Sequence, residues 1–311
     1  MAIAGRCECI HSLNESAHEH HQQYKPVGEE MNTQVSNCID AHHHLWRYSA
    51  TDFPWMGEGM EGLRRDYLAS DLEEVAHRAG VDGTIVVQAR QTTEETEWLS
   101  ELASRSTLIQ GVVGWAPLID PNLAPLLERL AGLPKVKGMR HILHDEADPF
   151  YMLREDFQRG LSQLKDYGLR YDLLIFENHL PQAITLVDRH PDQIFIVDHI
   201  AKPRIRERGI SPWRENLKEL SRRENVYCKL SGMVTEADWK LWSEDDLKPY
   251  FETVMEAFTP QRTMFGSDWP VLTLAATYER WMTTVRNTIA NMSQSEQERI
   301  LAGTAVEAYG L

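Results

Sequence analysis

A group of histidines near residue 40 is the first part of the chain whose residue types and spacing could support chemistry. Residues 40–46 read Asp-Ala-His-His-His-Leu-Trp. Because side chains alternate along a β-strand, His42 and His44 would point to one side and His43 to the other. Two imidazoles on one face can bind a metal ion or polarise a carbonyl group, whereas His43 is expected to pack or to support them.

An aspartate ends the last apolar segment, where residues 265–270 read Phe-Gly-Ser-Asp-Trp-Pro. A carboxylate at this place is costly to bury without a partner. The alternative is that Asp268 caps the following helix, because aspartate is a favoured cap. Pro270 and Val271 delay that helix, so a functional role for Asp268 is favoured.

Two further histidines follow other apolar segments. His199 comes directly after residues 196–198, and His179 lies three residues beyond Phe176. One histidine at such a place is more often structural than catalytic. Four histidines and an aspartate at the ends of strand-like segments are poorly explained in that way. We therefore expect one active site, built from His42, His44, His179, His199 and Asp268.

Short apolar segments alternate with amphipathic ones from residue 38 onward. The apolar segments are near-continuous runs of Val, Ile, Leu, Phe and Tyr, which is typical of parallel strands covered on both faces. Strands are predicted at 38–44, 84–89, 109–115, 136–142, 171–176, 194–199, 226–231 and 263–268. Helices are predicted at 72–79, 94–104, 124–131, 154–167, 180–189, 213–223, 247–258 and 276–289.

Eight strands alternating with eight helices match the size of an α/β protein with a single-domain (β/α)8 TIM barrel. A doubly wound open sheet also alternates, so the count leaves both folds open. Polar residues at the carboxyl ends of different strands favour the barrel, because those ends converge on one mouth. The residues concerned are His44, Arg140, His141, His199, Ser231 and Asp268.

The composition is that of an ordinary globular protein, with 42% hydrophobic and 25% charged residues in 311. A formal net charge of −15 argues against nucleic acid as a partner. No apolar run reaches the ~18 residues of a membrane span. Two of the four cysteines, Cys38 and Cys228, lie in strand-like runs as buried thiols do, and no disulfide framework is evident. A cytoplasmic location is predicted.

Residues 1–37 differ from the rest, being polar and without helical or strand periodicity. Their cysteines and histidines could bind a metal ion, namely Cys7, Cys9, His11, His18, His20 and His21. A flexible or wrongly assigned leader is the favoured interpretation, with Met31 as an alternative start. We expect an N-terminal extension at 1–37 and the barrel at 38–311.

In the order of its motifs the chain resembles the amidohydrolase superfamily, specifically the lactonase branch with fuconolactonases, rhamnonolactonases and pyrone-dicarboxylate lactonases. The resemblance covers about Ile39 to Leu311, and the polar leader lies outside it. The motifs are Asp-x-His-x-His-x-Trp at 40–46, Phe-Pro-Trp at 53–55, Gly-Met-Arg-His at 138–141, Asp-His-x-x-Lys-Pro at 198–203, Lys-Leu-Ser-Gly at 229–232 and the segment 265–271.

The resemblance implies a hydrolase of carbohydrate metabolism that opens a small-molecule lactone, with a sugar lactone as the favoured substrate. Asp268 would accept the proton of water, His199 would assist, and His42, His44 and His179 would stabilise the oxyanion. Substrate binding is expected at Arg140, His141, Trp46 and Lys202.

Metal use is left open by the sequence. Superfamily members often hold one divalent ion, and His42, His44, His179 and Asp268 form such a ligand set, with zinc favoured. Some members of the lactonase branch work without a metal ion. The alternatives are a metal-dependent decarboxylase of aromatic acids in the same superfamily, and a non-catalytic sugar-binding barrel. A homo-oligomer is also allowed.

Overall fold

Eight parallel strands follow one another around a sheet in the computed structural model, which describes residues 38–311. Each strand pairs with its neighbours in sequence, from β1 to β8. Hydrogen bonds close the sheet into a barrel, from the Asp268 amide to the His42 carbonyl (2.7 Å) and from the His44 amide to the Trp269 carbonyl (2.7 Å). The strands are β1 Ile39–His43, β2 Gly83–Val87, β3 Ile109–Gly114, β4 Val136–Ile142, β5 Arg170–Leu174, β6 Phe195–Val197, β7 Val226–Leu230 and β8 Thr263–Phe265.

Helices lie between successive strands, and a π-helical segment, Arg299–Gly303, joins the last two helices of the chain. The helices are α1 Ala69–Ala79, α2 Thr93–Arg105, α3 Leu123–Ala131, α4 Glu155–Leu161, α5 Leu180–Arg189, α6 Trp213–Leu220, α7 Met233–Glu236, α8 Glu244–Phe258, α9 Tyr278–Ile289, α10 Gln294–Glu298 and α11 Thr304–Tyr309. The predicted (β/α)8 barrel is confirmed, and the doubly wound alternative is excluded because the strands keep their sequence order around the sheet. The predictions made for residues 1–37 lie outside the described residues.

The apolar core has two parts, one between the strands and the helices and one inside the barrel. The inner part contains fully buried aliphatic side chains of the strands, such as Ile85, Val113 and Ile196. Ala305 and Tyr309 of α11 pack against the same inner cluster. Burying one such aliphatic side chain stabilises the folded state by about 1.5–3 kcal/mol. The inner cluster therefore forms a stable floor beneath the polar end of the barrel.

None of the helices within residues 38–311 is both long enough and apolar enough to cross a membrane.

Candidate active site

Three histidines and one aspartate meet at the carboxyl end of the barrel. The Nε2 atoms of His42 and His44 are 3.2 Å apart. One oxygen of Asp268 lies 3.3 Å from Nε2 of His44 and 3.8 Å from Nε2 of both His42 and His199. All four residues are buried, so these polar groups are held in place by one another rather than by solvent. The Asp268 side chain faces the histidines, and the helix-cap alternative therefore has no support.

The backbone of β1 is irregular where it presents these groups. The register between β1 and β2 shifts between Asp40 and His43. Ala41 packs in the inner apolar cluster, yet the next residue, His42, contacts Asp198 and His44, while His43 reaches Thr84. Such an irregularity re-aims a side chain, and here it brings His42 into the site.

A buried aspartate, Asp40, ties β1 to the segment that carries Asp268. Its carboxylate accepts hydrogen bonds from the hydroxyl groups of Ser267 (2.5 Å) and Tyr278 (2.6 Å) and from the Ser267 amide (2.8 Å). Burial raises the pKa of Asp40, and these donors oppose that rise. Ser267 precedes Asp268, whose φ of 61° is in the left-handed region. The Asp40 hydrogen bonds thus fix a strained residue beside the cluster.

One left-handed turn carries both His199 and Lys202. Four successive residues have positive φ: His199 (53°), Ile200 (51°), Ala201 (60°) and Lys202 (46°). Each such residue costs about 1–2 kcal/mol and persists only where the surroundings hold it. The indole N–H of buried Trp213 donates to the Ile200 carbonyl (2.7 Å). The turn directs two polar side chains, three residues apart, to the same side.

His199 is held from a second direction by the segment after β7. Its Nδ1 lies 2.8 Å from the hydroxyl oxygen of Ser231. Gly232 has a φ of 64°, and a Cβ added there would lie 2.6 Å from the His199 ring. The glycine is therefore required both by its backbone conformation and by the closeness of the histidine.

Two of the predicted site residues lie apart from this cluster. His179 belongs to neither of the two groups of potential metal ligands found in residues 38–311. Its Nδ1 accepts a hydrogen bond from the Phe176 amide (3.3 Å). His141 lies on the other side of β4 from Arg140, between the indole of Trp115 (3.3 Å) and Glu146 (2.6 Å).

A cavity of about 210 Å³ opens beside the cluster. Its volume is below the ~300–1,000 Å³ usual for drug-sized ligands, which favours a small molecule. His44, His199, Asp268 and the predicted binding residues Trp46, Arg140 and Lys202 line it, whereas His141 does not.

Two polar residues of the cavity wall were missed by sequence reasoning. His144 and Asp145 follow β4 and line the cavity, where their side chains contact each other at 2.7 Å. Burial, together with nearby Lys202, lowers the pKa of His144 to about 4, against the pull of Asp145. The sequence shows no strand or helix pattern in this segment. Its position is set by the path of a loop, which the sequence does not reveal.

Buried charges lie directly behind the histidines. Arg140 pairs with Asp198 (3.0 Å), and the other oxygen of Asp198 is 3.2 Å from Nδ1 of His42. Lys229 contacts Asp172 (2.5 Å) and Asp198 (2.9 Å). The roles of Lys229 and Asp172 were missed. The available signal was a charged residue within an apolar strand, as in Tyr-Asp-Leu at 171–173 and Cys-Lys-Leu at 228–230.

The electrostatics of the cluster favour an anionic Asp268 beside neutral His42 and His199. Burial alone would raise the pKa of Asp268, but His199, His44 and Lys202 hold it below its usual value. Burial lowers the pKa of His42 and His199 well below the ordinary histidine value, against the pull of Asp198 and Asp268. At neutral pH, Asp268 is therefore ionised and both imidazoles are neutral.

The donor atoms of His42, His44 and Asp268 fit a divalent metal ion. Nδ1 of His44 lies 2.8 Å from the Val87 carbonyl, to which it donates, so its Nε2 presents a lone pair toward His42. In a tetrahedral site with bonds of about 2.0–2.2 Å, the donors lie about 3.3–3.6 Å apart. The observed separations of 3.2, 3.3 and 3.8 Å are close to that range.

Comparison with known proteins gives a consistent picture. A model of the family described as amidohydrolase matches residues 39–311. The L-fucono-1,5-lactonase of Burkholderia multivorans is 40% identical over 284 residues, or 88% of this chain and 96% of that protein. The L-fucono-1,5-lactonase of Burkholderia ambifaria is 32% identical over 278 residues, or 87% and 94%. A crystal structure of a B. multivorans amidohydrolase with bound zinc has a TM-score of 0.85 at 40% identity, covering 88% of this chain and 99% of that one.

Proposed function

This chain belongs to the amidohydrolase family, and we propose that it opens a sugar lactone by hydrolysis to give the hydroxy acid. The observation that carries the proposal is the Asp268 carboxylate, which lines the cavity with His44 and His199 beside it. The relatives named L-fucono-1,5-lactonase support the same substrate class.

Asp268 is suited to move the proton that lactone hydrolysis requires. As an ionised carboxylate it accepts a proton from the attacking water, and the acid so formed returns this proton to the ring oxygen that leaves. His199, oriented by Ser231, places its neutral Nε2 at 3.8 Å from the Asp268 oxygen that faces His44, where it can assist the proton transfer. Asp268 thus takes one proton from the water and gives one to the ring oxygen, so it ends the reaction ionised, as it began.

Two cationic side chains are available for the carbonyl oxygen, which becomes negatively charged when water attacks. Arg140 and Lys202 line the cavity, and each is already paired with a carboxylate, Asp198 (3.0 Å) or Glu236 (2.5 Å). Donors paired in this way can stabilise an oxyanion or bind hydroxyl groups. Because Arg140 and Lys202 are each already neutralised by a protein carboxylate, neither needs a carboxylate on the substrate. This favours an uncharged sugar lactone.

A divalent ion would be held by His42, His44 and Asp268, and zinc is the ion that we propose because a related amidohydrolase holds it. Such an ion, when bound, polarises the carbonyl group and acidifies a bound water. The sequence predicts His179 as a further ligand; it does not belong to the group formed by His42, His44 and Asp268, and its Nδ1 accepts the Phe176 amide.

The apolar wall of the cavity suits the carbon skeleton of a sugar ring. Trp46 and Trp55 line it, with their rings in edge-to-face contact at 6.3 Å. Trp46 is buried and Trp55 is 43% exposed, so Trp55 presents an aromatic surface at the opening. Aromatic faces pack against the C–H groups of a sugar, while polar groups opposite them orient its oxygens.

The alternatives use the same residues differently. A decarboxylase would share the histidines and Asp268, and the lactonase is favoured because the two curated relatives described above are both lactonases. A sugar-binding barrel would have no need for the Asp268–histidine contacts, which are costly to bury.

A screen of aldonolactones with a pH indicator tests the proposal, because hydrolysis releases an acid. L-fucono-1,5-lactone and lactones that differ from it at single hydroxyl groups form the panel, with an aromatic acid and carbon dioxide detection as the decarboxylase arm. Acid release from at least one lactone, above its spontaneous rate, is expected. Carbon dioxide release without lactone hydrolysis would overturn the proposal.

A further inference from the structure

Four buried charges form a balanced set behind the histidine cluster. Arg140 and Asp198 are one pair, Lys229 and Asp172 the other, and all four side chains are at most 3% exposed. The Tyr309 hydroxyl of α11 lies 2.9 and 2.8 Å from the two oxygens of Asp172. Tyr309 therefore gives Asp172 a second donor on the side away from the cavity.

Lys229 touches three groups at different distances. Its Nζ lies 2.5 Å from Asp172, 2.9 Å from Asp198 and 3.2 Å from Nδ1 of His42. A lysine ammonium group has three donors and no acceptor. The two carboxylates are the nearer and charged partners, so they hold the lysine protons more strongly than the neutral imidazole does.

Nδ1 of His42 has two competing partners as a result. Oδ1 of Asp198 (3.2 Å) can accept a proton from Nδ1, whereas Lys229 (3.2 Å) can only donate to it. In the first case Nε2 of His42 presents a lone pair to the site. In the second case Nε2 carries the proton. The partners of one ring nitrogen thus set the chemistry of the other.

We infer that Asp172 is a positioning residue, which acts through Lys229 to keep the proton of His42 on Nδ1. The Nε2 lone pair is then free to accept from Nη1 of Arg140 at 3.3 Å. Asp172 draws the ammonium group toward itself and leaves Asp198 as the acceptor for His42. Asp172 does not line the cavity, so it acts on the reaction through its neighbours, and the inference concerns the part of that effect that passes through His42. The kinetic part of the inference rests on the proposed lactonase activity, whereas the tautomer does not.

Nitrogen-15 NMR of histidine-labelled, metal-depleted protein distinguishes the two tautomers, because a bound ion would itself fix the proton of His42 on Nδ1. A His42→Gln spectrum assigns the signal. In the unmodified protein we expect His42 to be protonated on Nδ1. In Asp172→Asn, Lys229 loses its nearest carboxylate, and the proton of His42 is expected to move to Nε2. An Nε2-protonated His42 in the unmodified protein would overturn the inference, even if Asp172→Asn does not fold.

A double variant separates positioning from a structural role. Asp172→Asn is expected to lower kcat by about 10–100-fold, the usual effect of changing a supporting partner, with KM nearly unchanged. Asp172→Asn with Lys229→Met removes both charges, so Nδ1 protonation and most of kcat should return. Tyr171→Phe is the matched control, because Tyr171 is buried in the same strand but packs in the outer cluster.

The outcomes distinguish the two proposals. If the double variant stays as slow as Asp172→Asn with the His42 tautomer unchanged throughout, Asp172 is structural and the inference is wrong. If no lactone is hydrolysed by the unmodified protein, the proposed function fails, and the NMR result alone decides the inference.

Discussion

Replacing Gly232 with alanine is expected to displace His199 and so to test whether that histidine matters. A Cβ at position 232 would lie 2.6 Å from Cγ and Nδ1 of His199. Because carbon atoms pack at about 3.5–4.0 Å, the ring must move by roughly 1 Å. Its 2.8 Å contact with Ser231 would be lost. A displacement of about 1 Å at a catalytic group can lower the rate by about 100-fold.

A second glycine provides the control for the backbone. Alanine in the left-handed region costs about 1–2 kcal/mol by itself. Gly168 has a φ of 68°, close to the 64° of Gly232, but nothing lies within 4 Å of its added Cβ. Gly168→Ala therefore carries the same backbone cost without the collision. The difference between the two variants in free energy of unfolding measures the collision alone.

Initial rates of lactone hydrolysis and urea unfolding give the two readouts. We expect Gly168→Ala to keep kcat/KM near that of the unmodified protein and Gly232→Ala to lose about 100-fold. Equal kcat/KM in the two variants, with the expected loss of stability in Gly232→Ala, would refute a role for His199 in the reaction.

Three further outcomes are expected. Arg140→Met should lower kcat/KM, and it should lower the free energy of unfolding by about 3–5 kcal/mol because it leaves buried Asp198 without one partner. Unchanged unfolding by urea would contradict the role given to this buried pair. On acidification, the loss of kcat/KM that comes from protonation of Asp268 should appear only as pH passes below the ordinary aspartate pKa of 3.8, because the pKa of Asp268 is lowered and the base is lost on protonation. An earlier fall near 6 is expected from Asp172, because burial raises the pKa of this carboxyl to about 6, and it should be absent from Asp172→Asn. A one-proton fall near 6.5 that remains in Asp172→Asn would show instead that His42 or His199 titrates there, against their lowered pKa. If the metal is essential, exhaustive chelation should abolish activity and added zinc should restore it, whereas undiminished activity after chelation, with the metal content measured, would show a metal-free site.

The strands were predictable because their burial on both faces leaves a clear pattern. All eight predicted segments coincide with strands, although 194–199 extends beyond β6 at Phe195–Val197. The excess is the left-handed turn that begins after Asp198. That turn contains no glycine, so nothing in its composition signals positive φ. Its chain direction depends instead on tertiary contacts such as that of Trp213 with Ile200.

The site was predictable where a residue ends a strand, and less so where a loop decides its direction. His42, His44 and Asp268 meet because they leave neighbouring strands, β1 and β8, at the same end. His179 follows β5 within a short 3-10 turn, where its ring folds back onto the Phe176 amide. Lys229 was recognised only as part of the motif at 229–232, because sequence alone does not show that Asp172 lies beside it in the folded protein.

Asp268→Asn tests the central claim most directly, because it keeps the size of the side chain and removes both the base and the charge. Hydrolysis of the best lactone of the panel is measured for this variant and for the unmodified protein under saturating substrate, with urea unfolding as the check on folding. We expect kcat to fall by at least ~10²–10⁴-fold, the usual contribution of a general base, in a protein that remains folded. Near-normal kcat in Asp268→Asn would contradict the mechanism and leave Asp268 as a structural residue of the barrel mouth.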